Sequence, residues 1–162
     1  MKRITAVLSA AAFAMTAAVV FAQAHPSFAG KWARVDDPAA AAAGGPGGGR
    51  GGRGGFGQEV TITQDAATIT MEWTQGQNTQ KRVYKLDGSD STNTVMARGG
   101  EMEQVSKAVW TGNTLVITTA AGNGETKQVL SMAGADLKVE QTNPGRGGGE
   151  PTTTTITYKK AM

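Results

Sequence analysis

The run Trp110-Thr111-Gly112-Asn113-Thr114-Leu115-Val116-Ile117 turns back on itself. Gly112-Asn113 is a pair that tolerates the positive φ of a tight hairpin turn. Leu115 and Ile117 sit two residues apart, the spacing of a strand with one buried face. On the other arm, Trp110 shares its face with Ala108 and Met102. An apolar run, a two-residue turn and a second alternating run together make a β-hairpin.

The same pattern extends in both directions. Val60 and Ile62 lie between threonines, and Ile69, Met71 and Trp73 are separated by Thr70 and Glu72. Leu137 and Val139 repeat the i, i+2 spacing, as do Ile156 and Tyr158. Asp87-Gly88, Gly122-Asn123-Gly124 and Ala133-Gly134 punctuate these runs. The expected strands are 28–35, 58–64, 67–74, 80–86, 91–97, 101–111, 114–120, 125–132, 136–143 and 151–159. Turn positions Ala66, Gly88, Gly112 and Gly134 are 22, 24 and 22 residues apart. That period matches one hairpin of a meander. The sequence thus predicts an all-β chain, an antiparallel up-and-down meander of about ten strands. Closure into a barrel removes the sheet edges.

Three stretches carry a resemblance. Phe28-Ala29-Gly30-Lys31-Trp32 resembles the Gly-x-Trp opening strand of lipocalin-like barrels. Tyr84-Lys85-Leu86-Asp87-Gly88 with Ser91-Thr92-Asn93, and the Trp110–Ile117 run, are similar to stretches in small exported bacterial proteins of lipocalin-like type. The resemblance implies a barrel closed at one end by the first-strand tryptophan, and loosely a small apolar ligand. The first connection departs from the pattern, with an Ala/Gly/Arg run in place of an ordinary loop.

The N-terminus reads as an export signal. Lys2 and Arg3 precede an uncharged, Ala-rich run from Ile4 to Phe21, and Ala22-Gln23-Ala24 has the small–x–small form of a peptidase site. Residues 1–24 are the expected signal peptide and 25–162 a single domain, periplasmic or secreted, with no stable membrane insertion after cleavage. The competing reading is an uncleaved membrane anchor. With 16 Lys+Arg and 13 Asp+Glu the chain carries +3. Cleavage removes Lys2 and Arg3 and leaves 14 against 13, or +1, so charge does not point to nucleic acid. The absence of cysteine excludes disulfides, a lipid-bearing cysteine and thiolate metal sites. Two glycine-rich stretches, 36–57 and 144–150, read as loops without packed contacts. Arg50-Gly51-Gly52-Arg53-Gly54-Gly55-Phe56 has the form of a short nucleic-acid-binding RGG segment, but two arginines behind an export signal favour a flexible linker.

Chemistry is sparse. The single histidine, His25, sits at the extreme N-terminus of the expected mature chain and there is no cysteine, so the inventory disfavours Ser/His/Asp and Cys/His arrangements. Glu101 and Glu103 share a strand face, where a solvated surface pair is the plainer reading than acid/base work. Cleavage after Ala22 would create Gln23-Ala24-His25, a terminus suited to Cu(II); cleavage after Ala24 would not. No metal or cofactor is otherwise implied. The aromatic residues fall on inward strand faces. Met71, Trp73 and Tyr84, on adjacent strands, are the candidate ligand-binding residues, with plain core packing as the alternative. The expectation is a non-enzymatic module that binds a small apolar or amphipathic molecule or serves as an interaction module. A structural protein of the cell envelope or matrix is the alternative, and a hydrolase the weaker one.

Overall fold

The computed structural model describes residues 25–35, 55–97, 100–122, 124–145 and 149–161. Ten strands follow one another: β1 Gly30–Arg34, β2 Glu59–Gln64, β3 Thr68–Gln75, β4 Asn78–Lys85, β5 Asp90–Ala97, β6 Gly100–Thr111, β7 Thr114–Ala121, β8 Gly124–Ala133, β9 Asp136–Asn143 and β10 Thr152–Lys160. The expected meander is therefore present, each strand within about two residues of its expected bounds. Residues 1–24, most of the first glycine-rich stretch, Arg98-Gly99 and 146–148 lie outside the described residues.

All ten strands form one antiparallel sheet in the order β4-β3-β2-β1-β10-β9-β8-β7-β6-β5. Pairing of β1 with β10 brings the first and last strands together, for example Trp32 opposite Lys160. The sheet curls until β4 approaches β5, and there the ladder stops. Side chains take over at this seam. Asn93 Oδ1 accepts from Val83 N–H at 2.7 Å, and Asn93 Nδ2 donates to the Val83 carbonyl at 3.0 Å. Ser91 Oγ accepts from Lys85 N–H at 2.9 Å. The Asn93 carboxamide thus supplies the donor and acceptor that a neighbouring backbone would present. The result is a nearly closed barrel.

Register sorts the interior into levels. Trp110, Leu115, Leu130, Val139 and Ile156 lie opposite one another across β6 to β10. One level further, Ala108 and Ile117 still match, but Ile117 then meets Gln128, Gln141 and Thr154. Beyond that, Ser106 faces Thr119. One end of the barrel is therefore filled with apolar side chains and the other is lined with polar ones.

The filled end is sealed by the segment before β1. Phe28 is fully buried, its carbonyl accepts from Trp32 Nε1 at 2.8 Å, and its N–H donates to Gln64 Oε1 at 2.9 Å. Gln64 Nε2 donates in turn to the Pro26 carbonyl at 3.3 Å. Both ends of one amide thus hold the segment down. Trp110 stacks between Phe28, at 5.6 Å, and His25, at 4.3 Å. Trp32 is buried at this end, where the lipocalin resemblance places a closing tryptophan.

Three local expectations change. Positive φ falls on glycines alone among the described residues, so Asn113 and Asp87 do not adopt it; Gly112, at +60°, makes its turn. The Ala66 turn is built by Asp65, whose Oδ1 accepts from Ala67 and Thr68 N–H at 2.7 Å each. Met102 shares inward parity with Ala108 but is 49% exposed, because β6 runs past the barrel rim.

Candidate functional site

A cavity of about 580 Å³ occupies the polar end. Strand direction places the connections β1–β2, β3–β4, β5–β6, β7–β8 and β9–β10 around its mouth. Arg34 of β1 lines it, together with three further groups of side chains. Phe56 and Trp73 form an aromatic part, with ring centroids 5.4 Å apart and edges to face. Gln128, Gln141 and Asn143 form an amide part on β8 and β9. Arg82 of β4 and Gln104 of β6 form the third, beside the seam.

Phe56 reaches the interior although it follows a glycine-rich run. Gly55 N–H donates to Gln141 Oε1 at 2.8 Å, and Phe56 N–H donates to the Tyr158 hydroxyl at 2.9 Å. Tyr158 can also donate to the Gly57 carbonyl at 3.3 Å. A Cβ on Gly55 would lie 2.5 Å from the Tyr158 hydroxyl and 2.7 Å from Ile156 Cδ1, and φ there is +77°. Only glycine fits that position. The sequence expectation of a loop without packed contacts across 36–57 fails at these last residues, because Phe56 buries its ring under the barrel rim.

The amide part satisfies itself. Gln128 Nε2 donates to Gln141 Oε1 at 3.2 Å, and Gln141 Nε2 donates to Asn143 Oδ1 at 2.9 Å. The Ser106 and Thr119 hydroxyls pair at 2.9 Å. The wall beside the seam is different. Arg82 Nε, Gln104 Oε1 and the Tyr84 hydroxyl are buried without hydrogen-bond partners. The Arg82 guanidinium lies 5.3 Å from the Trp73 ring centroid, a cation–π contact that orients it. Burial raises the Tyr84 phenol above its ordinary range, and the charge and close approach of the Arg82 guanidinium partly oppose this, although the two groups miss hydrogen-bond geometry. Burial also raises Tyr158, against the Phe56 N–H bond and the Arg34 charge.

Of the three candidate residues, Trp73 lines the cavity. Met71 and Tyr84 are fully buried in the apolar cluster below it. Register explains the division: Met71 lies opposite Arg82 and Ile69 opposite Tyr84, deeper than Trp73. Sequence reasoning missed Arg82, Gln104, Gln128 and Gln141. The signal was inward parity, since Gln128 is two residues from Leu130, Gln141 two from Val139 and Arg82 two from Tyr84. His25 lies at the opposite end, with Nδ1 3.2 Å from the Gly112 carbonyl. Glu101 and Glu103 are exposed. Among the described residues no three His, Cys, Asp or Glu side chains gather where a metal ion could sit.

Solved structures share this architecture. A REP1-NXSQ fatty acid transporter matches with a TM-score of 0.56 and 12% identity, over 83% of this chain and 96% of its own. Zebrafish ileal bile acid-binding protein, complexed with cholic acid, gives 0.57 and 20%, over 83% and 98%. The fluorescent protein UnaG gives 0.57 and 19%, over 83% and 97%. The chain shares the fold of these small antiparallel β-barrels. At these identities the likeness is one of fold. No protein-family model matches the chain, and no curated protein does.

Proposed function

We propose that this barrel binds a small amphipathic molecule at its polar mouth and performs no chemistry on it. One observation carries the reading: a cavity with aromatic and polar walls, two of whose polar atoms lack partners, sits over a filled core. Buried polar groups are normally paired, and ligands commonly supply the missing partners. The three similar proteins are a fatty acid transporter, a bile acid-binding protein and a fluorescent protein, and the first two support small-molecule binding. The sequence of residues 1–24 supports an exported protein, cleaved after Ala22 or Ala24.

Titration with anilinonaphthalene sulfonate, an aromatic anion with an apolar body, tests the reading. Saturable binding with a stoichiometry near one is expected, with tryptophan-excited dye emission that falls in Trp73→Phe while Trp32 and Trp110 remain. Failure of this dye and of every other amphipathic probe to saturate overturns it. The filled apolar half favours a second reading, a packed structural module of the envelope or matrix. That module would leave the dye unbound.

A further inference from the structure

Across the cavity, the polar groups are used unevenly. On β8 and β9 every amide is paired: Gln128 with Gln141, and Gln141 with Asn143 and Gly55. On β4 and β6, Arg82 Nε and Gln104 Oε1 are buried without partners, although both side chains line the cavity. One is a donor and the other an acceptor. A ligand that completes this wall brings an acceptor to the guanidinium and a donor to the carboxamide. The arginine fork matches a carboxylate. An O–H suits the Gln104 oxygen, which a turn about the soft last torsion of that side chain presents to the cavity.

The apolar contribution narrows the class. The cavity's large apolar side chains are aromatic, Phe56 and Trp73. Below them, Met71, Ile117, Leu130 and Val139 are fully buried and leave no channel for an alkyl chain. A flat ring fits beside Trp73. Resting on the binding reading above and naming its ligand class, we infer that the mouth selects compact hydroxylated aromatic carboxylates, held by Arg82 through the carboxylate and by Gln104 through the hydroxyl.

Calorimetric titration of the purified protein with 4-hydroxybenzoate, benzoate, 4-hydroxybenzamide, decanoate and cholate tests this. 4-Hydroxybenzoate should bind one to one, with benzoate about tenfold weaker for want of one hydrogen bond. Decanoate and cholate should bind more weakly still. Gln104→Leu should make benzoate and 4-hydroxybenzoate equivalent. Arg82→Gln should lower the preference for 4-hydroxybenzoate over its neutral amide by about tenfold or more, with Arg34 the remaining arginine of the wall. Arg82→Lys, which keeps the charge and loses the fork, should reduce that preference and serves if Arg82→Gln does not fold. Decanoate or cholate binding as tightly as 4-hydroxybenzoate overturns the inference, as does an unchanged acid-to-amide ratio in the Arg82 variants. In those cases, or if the naphthalene dye alone saturates, a binding protein of another class remains. No saturable binding by any probe or by the dye overturns the binding reading as well.

Discussion

Gly55 shows how far one residue controls the mouth. Its φ of +77° and its closeness to Tyr158 and Ile156 leave no space for a side chain. Gly55→Ala should therefore lift Phe56 from its site, and should cost more than the roughly 0.5–1 kcal/mol by which a compatible Gly→Ala stabilises. Thermal melts would show a lowered midpoint, and equal midpoints would mean that Gly55 is not held as described. Trp32 offers a contrast on adjacent positions. Trp32→Ala should cost about 3–5 kcal/mol, because it empties the sealed end. Lys31→Ala, on the exposed face, should stay within about 0.5 kcal/mol. Denaturant unfolding of both variants reads the difference. Trp32 was legible in the sequence because its alternation with Lys31 and Ala33 assigns it a face. Phe56 was not, since nothing local in Gly54-Gly55-Phe56-Gly57 announces a partner 102 residues away.

At the scale of elements, turns and seam behave differently. The Asp65 turn rests on a carboxylate. Backbone N–H bonds from Ala67 and Thr68, and the Thr68 hydroxyl, hold the Asp65 pKa below its ordinary value. A depressed folded value means that the turn is strengthened above the ordinary carboxylate range, and that this is lost as pH falls toward the folded value. Amide hydrogen exchange at Ala67 and Thr68 should therefore quicken on acidification, corrected for intrinsic rates, while exchange in the glycine turn at Gly112 should not. At the seam, Asn93→Asp keeps an acceptor for Val83 N–H but loses the donor to its carbonyl. It should destabilise more than Thr92→Ala on the outer face. Strands and glycine turns were readable because period and turn residues are local. The seam was not, because Ser91 and Asn93 read as ordinary strand polars until the curl of the sheet brings β4 beside them.

On the scale of the whole molecule, the meander and its closure could be read from ten alternating runs. The zoning of the interior could not be read from the apolar residues alone. Alternation identifies which residues face inward, but the division into filled and open ends appears only when registers are combined, as when Leu130 faces Val139 while Gln128 faces Gln141. Size and apolarity mark Met71, Trp73 and Tyr84 in the sequence, and the same qualities bury Met71 and Tyr84 in the filled half. The cavity takes its character from inward polar residues that a search for apolar walls passes over.

The ring of strands is continuous where the chain is broken and broken where the chain is continuous. β1 and β10 are hydrogen-bonded neighbours, and Ala161 N–H donates to the Lys31 carbonyl at 2.8 Å. β4 and β5 share no ladder, yet only Leu86 to Ser89 joins them. Circular permutation would exchange the two breaks. A chain opened between Gly88 and Ser89, with Met162 joined to His25 by a short flexible linker, would run from β5 to β10 and on through β1 to β4 as one uninterrupted meander. Its new ends would fall at the side-chain seam, where no strand ladder is cut, and the linker would cross the sealed end of the barrel, where His25 and Ala161 both lie. Such a permutant should fold to the same barrel with a melting midpoint close to the parent's, whereas opening the chain within the β8–β9 hairpin should lower it. The β1–β10 pair and the β4–β5 seam are thus two places on the ring of strands where a chain can begin.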